Sequence, residues 1–205
     1  MSKNETNPVI EPEIIGQDTI QMKRNQSLLN DLMFIVENMD VKRGTIFLDW
    51  IQQQNQYLVW ETNFDPKRLK RYKRGDIVLA HFGFNVGAEF GGLHYAVVVK
   101  NDSKSNPMLN VIPLSSLKEG QTPDDLHPET VYLGNISGLN DKKSFAKMNQ
   151  MRPISKLRIF KPKKANHQAF KLTDDQMDLI DEKIVKMFTK IKITQQNTEK
   201  SEVSP

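Results

Sequence analysis

Between Thr19 and Met39 the apolar residues Leu28, Leu29, Leu32, Ile35, Val36 and Met39 recur at steps of three and four, the spacing that aligns side chains along one helical face. An amphipathic helix is expected there. Asp40 can cap a second helix holding Ile46, Phe47, Trp50 and Ile51, although Gly44 weakens its first turn and QQQNQ then interrupts the pattern. Together the two suggest a helical hairpin. After Asp76 the pattern changes. IVLAHF (Ile77 to Phe82), HYAVVVK (His94 to Lys100), MLNVIPL (Met108 to Leu114) and TVYL (Thr130 to Leu133) are short, rich in β-branched and aromatic residues, and bounded by Gly, Asn, Asp and Pro, so they read as strands. FAKMNQMRPI (Phe145 to Ile154) is a fifth strand, which Pro153 should end because proline cannot donate to a ladder. In LTDDQMDLIDEKIVKMFTKI, Thr173 and Gln176 have the spacing of a capping box ahead of Met177, Ile180, Ile184, Met187, Phe188 and Ile191 on one face. That closing helix should pack its stripe on the sheet or on a partner.

These elements predict an α+β chain, mainly β with helices. Residues 1–17 bury too little to order themselves and are expected to form a disordered tail, 18–65 a helical N-terminal extension, 66–192 the β-rich domain, and 193–205 a loose C-terminal tail. The boundary falls at DPKRLKRYKRGD, which packs six basic residues into the eight from Lys67 to Arg74. A length of 205 residues suits one ordinary core plus an appendage. The net charge of +4 is modest, so a polyanionic partner is allowed and not demanded.

Candidate chemistry is narrowed by what is missing. The chain has no cysteine, and its four histidines, His81, His94, His127 and His167, show no metal-ligand spacing, so no metal site and no cofactor are expected. The opening residues lack the basic and apolar succession of a signal peptide, and no apolar run approaches the length of a bilayer span. A cytoplasmic protein with no membrane partner is the expectation. The most informative stretch is NVGAEFGGLHYAVVV, Asn85 to Val99. Glycines before a strand permit either positive φ in a turn or close backbone approach to a ligand, and pattern alone leaves both readings open for Gly91 and Gly92. Glu89 and His94 flank the pair with an acceptor and an imidazole that titrates near neutrality, the equipment of proton transfer.

RGDIVLAHFGFNVGAEFGGLHYAVVVKND resembles the N-terminal half of the MazF and PemK ribonuclease toxins, in which a strand starting at a GD pair leads to a G-x-E-x-G-G loop, a second strand and an ND turn. VIPLSS (Val111 to Ser116) is similar to the third strand with its terminal hydroxyl, and NQMRPISKLRI (Asn149 to Ile159) to the Q-x-R-x-I-x-K-x-R-L stretch. The resemblance spans roughly residues 72 to 192 and leaves out the helical region before them. It implies an SH3-like β-barrel of the MazF/PemK/CcdB type, forming a homodimer and acting as the toxin of a type II toxin–antitoxin pair with a cognate antitoxin protein. The implied activity is metal-independent cleavage of single-stranded RNA, including mRNA, by attack of a ribose 2′-hydroxyl on the adjacent phosphate. Such a step needs a proton acceptor, donors for charge on the phosphate oxygens and an acid for the leaving 5′-oxygen.

By this resemblance the family's catalytic arginine falls on His94, a smaller donor whose charge depends on pH and which can act as acid or base. Ser115 falls on the catalytic threonine, with Ser116 one residue away. Glu89 matches an acidic loop position, where a carboxylate can take the 2′-hydroxyl proton or hold the loop amides. Gly91 and Gly92 would let RNA approach closely, and Gln150 and Arg152 match a pair that contacts RNA, Arg152 being the natural replacement for the phosphate clamp. Arg71, Lys73 and Arg74 in the basic run can attract an RNA backbone or form a solvated linker, and Tyr72 among them can stack on a base or pack. His81 reads as a satisfied core or interface imidazole, while His127 and His167 receive no role. Two other readings stand: a barrel that binds RNA or protein without cutting, and an enzyme restrained by its own helices through Leu28, Leu32 and Ile35.

Overall fold

The computed structural model describes residues 14–160 and 170–190, so most of the expected N-terminal tail, the C-terminal tail, His167 and Ile191 lie outside the described residues. The chain divides into two compact units, Met1–Asp49 and Trp50–Pro205. In the first, a 3-10 turn (Ile15–Gln17) precedes helix α1 (Thr19–Glu37), whose N-terminus is capped by the Asp18 carboxylate, accepting from the amides of Ile20 and Gln21 at 2.9 and 3.1 Å. The expected stripe of α1 is half-buried at Leu32 and Val36 and exposed at Leu28, Leu29 and Ile35. Asp40 accepts from the Arg43 amide at 2.9 Å at the start of helix α2 (Val41–Glu61). QQQNQ does not interrupt α2. Glutamine is a good helix former, and Trp50 and Tyr57, two turns apart, continue one face through it.

The second unit begins with the last turns of α2 and contains strands β1 (Ile77–Gly83), β2 (Gly92–Val98), β3 (Met108–Ser116), β4 (Thr130–Asn135), β5 (Lys143–Lys147) and β6 (Arg152–Ser155), then helix α3 (Asp174–Phe188). Every ladder is antiparallel, in the order β1-β2-β3-β5-β4, with β6 pairing with β3. The long β3 is shared: its first residues pair with β6, its centre with β2 and its end with β5. The fold is α+β, as expected, with one strand more than the sequence suggested. Phe145 to Ile154 is two strands separated by a 3-10 turn (Met148–Gln150). Pro153 lies within β6, opposite Asn110, and is tolerated because β6 is an edge strand whose outer side needs no donor.

The sheet is not a closed barrel. A 3-10 turn (Lys156–Arg158) breaks the chain after β6, and only an isolated bridge between Ala80 and Ile159, with the Phe160 amide donating to the Leu79 carbonyl at 2.8 Å, joins this segment to β1. Paired residues share a face, so the registers sort the side chains into two sets. On one face Ile77, Val97, Ile112, Leu114 and Ala146 pack with Met177 and Ile180 of α3. On the other, Val78, Ala80, Phe82, Ala96, Val98, Val111 and Ile154 form a second core. Helix α3 has its capping box, Thr173 Oγ1 accepting from the Gln176 amide at 3.2 Å and Gln176 Oε1 from the Thr173 amide at 3.0 Å.

A buried ion pair fastens the connection between β2 and β3. Lys156 Nζ lies 2.6 Å from the Asp102 carboxylate, both side chains almost wholly inaccessible, and also donates to the Ser103 carbonyl at 3.1 Å. The basic run is anchored to the same corner. Arg71 Nε donates to the Asp102 carbonyl at 2.9 Å, and Arg74 donates to the Val99 carbonyl at 2.7 Å while pairing with Asp181 of α3. Tyr72 is packed at 4 % exposure, its hydroxyl pushed up to about 12 by burial and then by Asp102 and Asp76, so it is no stacking platform.

Candidate active site

The β1–β2 connection is shaped by three glycines. Gly83 pairs with Gly92 across a register shift, and both have positive φ, +93° and +82°, where a side chain is strained. Gly91 serves a different need: a Cβ there would stand 2.5 Å from the Gly83 carbonyl oxygen. The close approach at Gly91 is therefore to its own chain. At Gly92 the space is taken by His94, whose Nε2 lies 3.3 Å from where a Cβ would be.

Side chains then pin the loop. Asn85 Nδ2 donates to the carbonyls of Phe82 and Phe90 at 3.1 and 2.8 Å. Gln150 Oε1 accepts from the Phe90 amide at 3.0 Å, and Arg152 Nη2 donates to the Phe90 carbonyl at 2.9 Å and to Gln150 at 3.1 Å. Gln150 and Arg152 thus grip the backbone of Phe90, and the Arg152 guanidinium sits 5.5 Å from the Phe82 ring centroid. Glu89 does not hold the loop amides. It is exposed, and among the described residues no hydrogen bond or ion pair reaches its carboxylate, because Asn85 and Gln150 already satisfy the backbone groups beside it.

Register brings the remaining candidates onto one face. His94 lies opposite Ala80, Arg152 opposite Val111, and Ser115 opposite Phe145, all on the side of the second core. The β2–β3 ladder ends at Ala96 and Pro113, and two more steps of the same register would reach His94 and Ser115. Ser116 points to the other face, opposite Ser144. Lys147 follows Phe145 by two residues and so joins the face of His94.

Aromatic rings bind this group together. The His94 imidazole is 4.5 Å, centroid to centroid, from Phe90; Lys147 Nζ is 5.3 Å from the same ring and 5.9 Å from that of Phe145. Burial, and then the charge of Lys147, hold the His94 pKa below its ordinary value, so the ring is neutral at pH 7. Among the described residues no hydrogen bond engages the His94 ring, the Ser115 hydroxyl or the Lys147 ammonium. A neutral base, a hydroxyl and a cation thus share one face, each half-buried.

Lys147 was missed from sequence. Read as one strand, Phe145 to Ile154 places Lys147 and Arg152 on opposite faces by parity, whereas the 3-10 turn between them resets the phase. The available signal was a lysine two residues after an aromatic in a strand. Conversely, Arg71, Lys73 and Arg74 are not brought to His94. Arg74 reaches Val99, five residues along from His94, or about 17 Å at the usual strand rise. His81 occupies the opposite face with its ring near Tyr57 and Phe160, and its pKa is lowered by burial and by Arg158. It is not satisfied by hydrogen bonds among the described residues. His127 is exposed and caps a turn, its Nδ1 accepting from the Glu129 amide at 3.1 Å. No cluster of three or more His, Asp or Glu among the described residues could hold a metal ion, and none of the described helices is long and apolar enough to cross a membrane.

Residues 73–188 match the model of a family described as PemK-like, MazF-like toxin of type II toxin-antitoxin system. Among solved structures, MazF (form I) from Deinococcus radiodurans is 17% identical, covering 58% of this chain and 96% of its own, with a TM-score of 0.43. MazE–MazF (form II) from the same organism is also 17% identical, with coverages of 56% and 93% and a TM-score of 0.36. No curated protein matches the chain.

Proposed function

The chain belongs to the PemK-like, MazF-like toxins of type II toxin–antitoxin systems, and from that premise we propose that the face carrying His94, Ser115 and Lys147 cleaves single-stranded RNA. The observation that carries this reading is a neutral imidazole and an ammonium set against one ring, that of Phe90. His94 accepts the proton of a ribose 2′-hydroxyl as its oxygen attacks the adjacent phosphorus. The bond from phosphorus to the 5′-oxygen breaks, leaving a 2′,3′-cyclic phosphate and a 5′-hydroxyl. Lys147 faces the charge that builds on the phosphate oxygens and gives the leaving oxygen its proton, while the Ser115 hydroxyl donates to the phosphate. Lys147 takes the part that a fixed arginine plays elsewhere in the family; Arg152, with Nη2 committed to Phe90 and Gln150, positions the loop. The exposed Glu89 carboxylate is left without the base role. A cognate antitoxin and a second copy of the chain complete the reading, the former in keeping with a family of toxin–antitoxin systems.

The test is end-mapping of a mixed-sequence single-stranded RNA incubated with the full chain in EDTA. Cyclic-phosphate ends that disappear with His94→Ala, and fall by about a hundredfold or more with Lys147→Ala, support the mechanism. Equal cutting by His94→Ala removes that residue from it. No cutting by any form, with RNA still bound, makes the face a binding surface.

A further inference from the structure

A cavity of about 630 Å³ lies on the opposite side of β1 from His94, between the end of α2, His81 and Phe160. Five rings, those of Tyr57, Trp60, Phe64, His81 and Phe160, line it. The Tyr57 ring is 5.9 Å from those of both Trp60 and His81, and His81 is 6.5 Å from Phe160. Trp60 and Phe160 are 49% and 45% exposed, unusually open for rings that line a pocket. The amides of Gln53 and Asn63 add paired donors and acceptors. Arg68 lines the cavity with a side chain 83% exposed, and Lys67, Lys70 and Arg71, its neighbours along the chain, are exposed as well, the Lys70 ammonium 4.8 Å from the Tyr72 ring centroid. Asp65, the acidic residue at this rim, is already occupied by the Lys67 amide at 2.9 Å and by Arg68 at 3.8 Å.

We propose that this cavity and its basic rim form a second site for single-stranded RNA, in which a base stacks on Trp60 and Phe160 while Lys67, Arg68 and Lys70 neutralise the flanking phosphates. Flat rings beside a cationic track are the combination that holds single strands without demanding a sequence, and the volume is within the range of pockets that enclose a molecule of nucleoside size. An acidic peptide would use the cations but leave the exposed faces of Trp60 and Phe160 unexplained. The site does not depend on catalysis at His94, and it gives the basic run the role that its distance from that residue denies it at the cleavage face.

The probe is a fluorescein-labelled, mixed-sequence single-stranded RNA, titrated in EDTA against the full chain carrying His94→Ala so that it stays intact. Polarisation and intrinsic fluorescence report together, since Trp50 and Trp60 are the chain's two tryptophans. Trp60→Ala and Phe160→Ala should each weaken binding by about fivefold or more. Replacing Lys67 and Arg68 by Ser should flatten the slope of log K against log salt by about 1.4. Both rings are half-exposed, and circular dichroism checks that the variants stay folded. Affinity and salt slope unchanged in these variants overturn the site, as does equal competition by polyglutamate. Cleavage by the wild type with binding indifferent to Trp60 defeats only this site; Trp60-dependent binding without cleavage defeats only the catalytic reading.

Discussion

Burial and the charge of Lys147 together hold His94 in its neutral form, while both side chains lean on the Phe90 ring. If His94 is the base, the rate of cleavage rises with pH through its depressed pKa and levels off by neutrality. Lys147→Met removes a charge that lowers this pKa, so the acid limb should move upward toward the ordinary histidine value while the plateau rate falls. The pH–rate profile and the NMR titration of His94 Cε1–H should shift together. An acid limb that stays in place in Lys147→Met separates His94 from proton transfer.

The same depression has a consequence for stability. His94 and His81 both have folded-state pKa values below the ordinary value, through burial first and then Lys147 and Arg158 respectively. Between the folded and unfolded values the unfolded chain binds more protons, so this contribution is present above about pH 6.5 and is lost as pH falls through the folded pKa values. Urea midpoints should drop from pH 7.5 to pH 5, and His81→Phe should lessen the drop. A midpoint difference unaltered by that substitution places the acid sensitivity elsewhere.

Much of this architecture was legible in the chain because local signals agreed with the fold. Thr173 and Gln176 announce α3, and Ile77 to Phe82 lies within β1, because capping and a run of β-branched and aromatic residues act over a few residues. QQQNQ misled because its polarity breaks an apolar pattern without breaking a helix. Lys147 was hidden by a change of phase at Met148–Gln150 that parity cannot anticipate. At Gly91 pattern leaves turn and close approach open, because the carbonyl that fills its space belongs to Gly83, eight positions earlier, and only the folded loop brings the two together.

Gly91 and Gly92 should fail differently. Gly91→Ala drives a methyl into the Gly83 carbonyl and should destabilise the fold by about 1–3 kcal/mol, read as a lower urea midpoint. Gly92→Ala strains the backbone at φ +82° and crowds the His94 ring, at a cost of about 1–2 kcal/mol. Gly92→Ala should also displace the His94 resonances. Gly92→Ala with native stability and an unmoved His94 spectrum would contradict this geometry.

The Lys156–Asp102 pair offers the sharpest test of the corner in the connection between β2 and β3. With both side chains inaccessible, the attraction is offset by the cost of taking two charges out of water, so the intact pair is a weak source of net stability. Breaking it from one side is another matter, because the partner's charge stays buried without compensation. Lys156→Met should therefore destabilise by about 3–5 kcal/mol at neutral pH. Asp102→Asn in the Lys156→Met background should restore part of the loss at pH 7, since it removes the orphaned charge and keeps the shape. Guanidinium unfolding of the single and double variants measures each step. A double variant no more stable than Lys156→Met alone would mean that the ammonium's contact with the Ser103 carbonyl, and not its charge on Asp102, holds the corner.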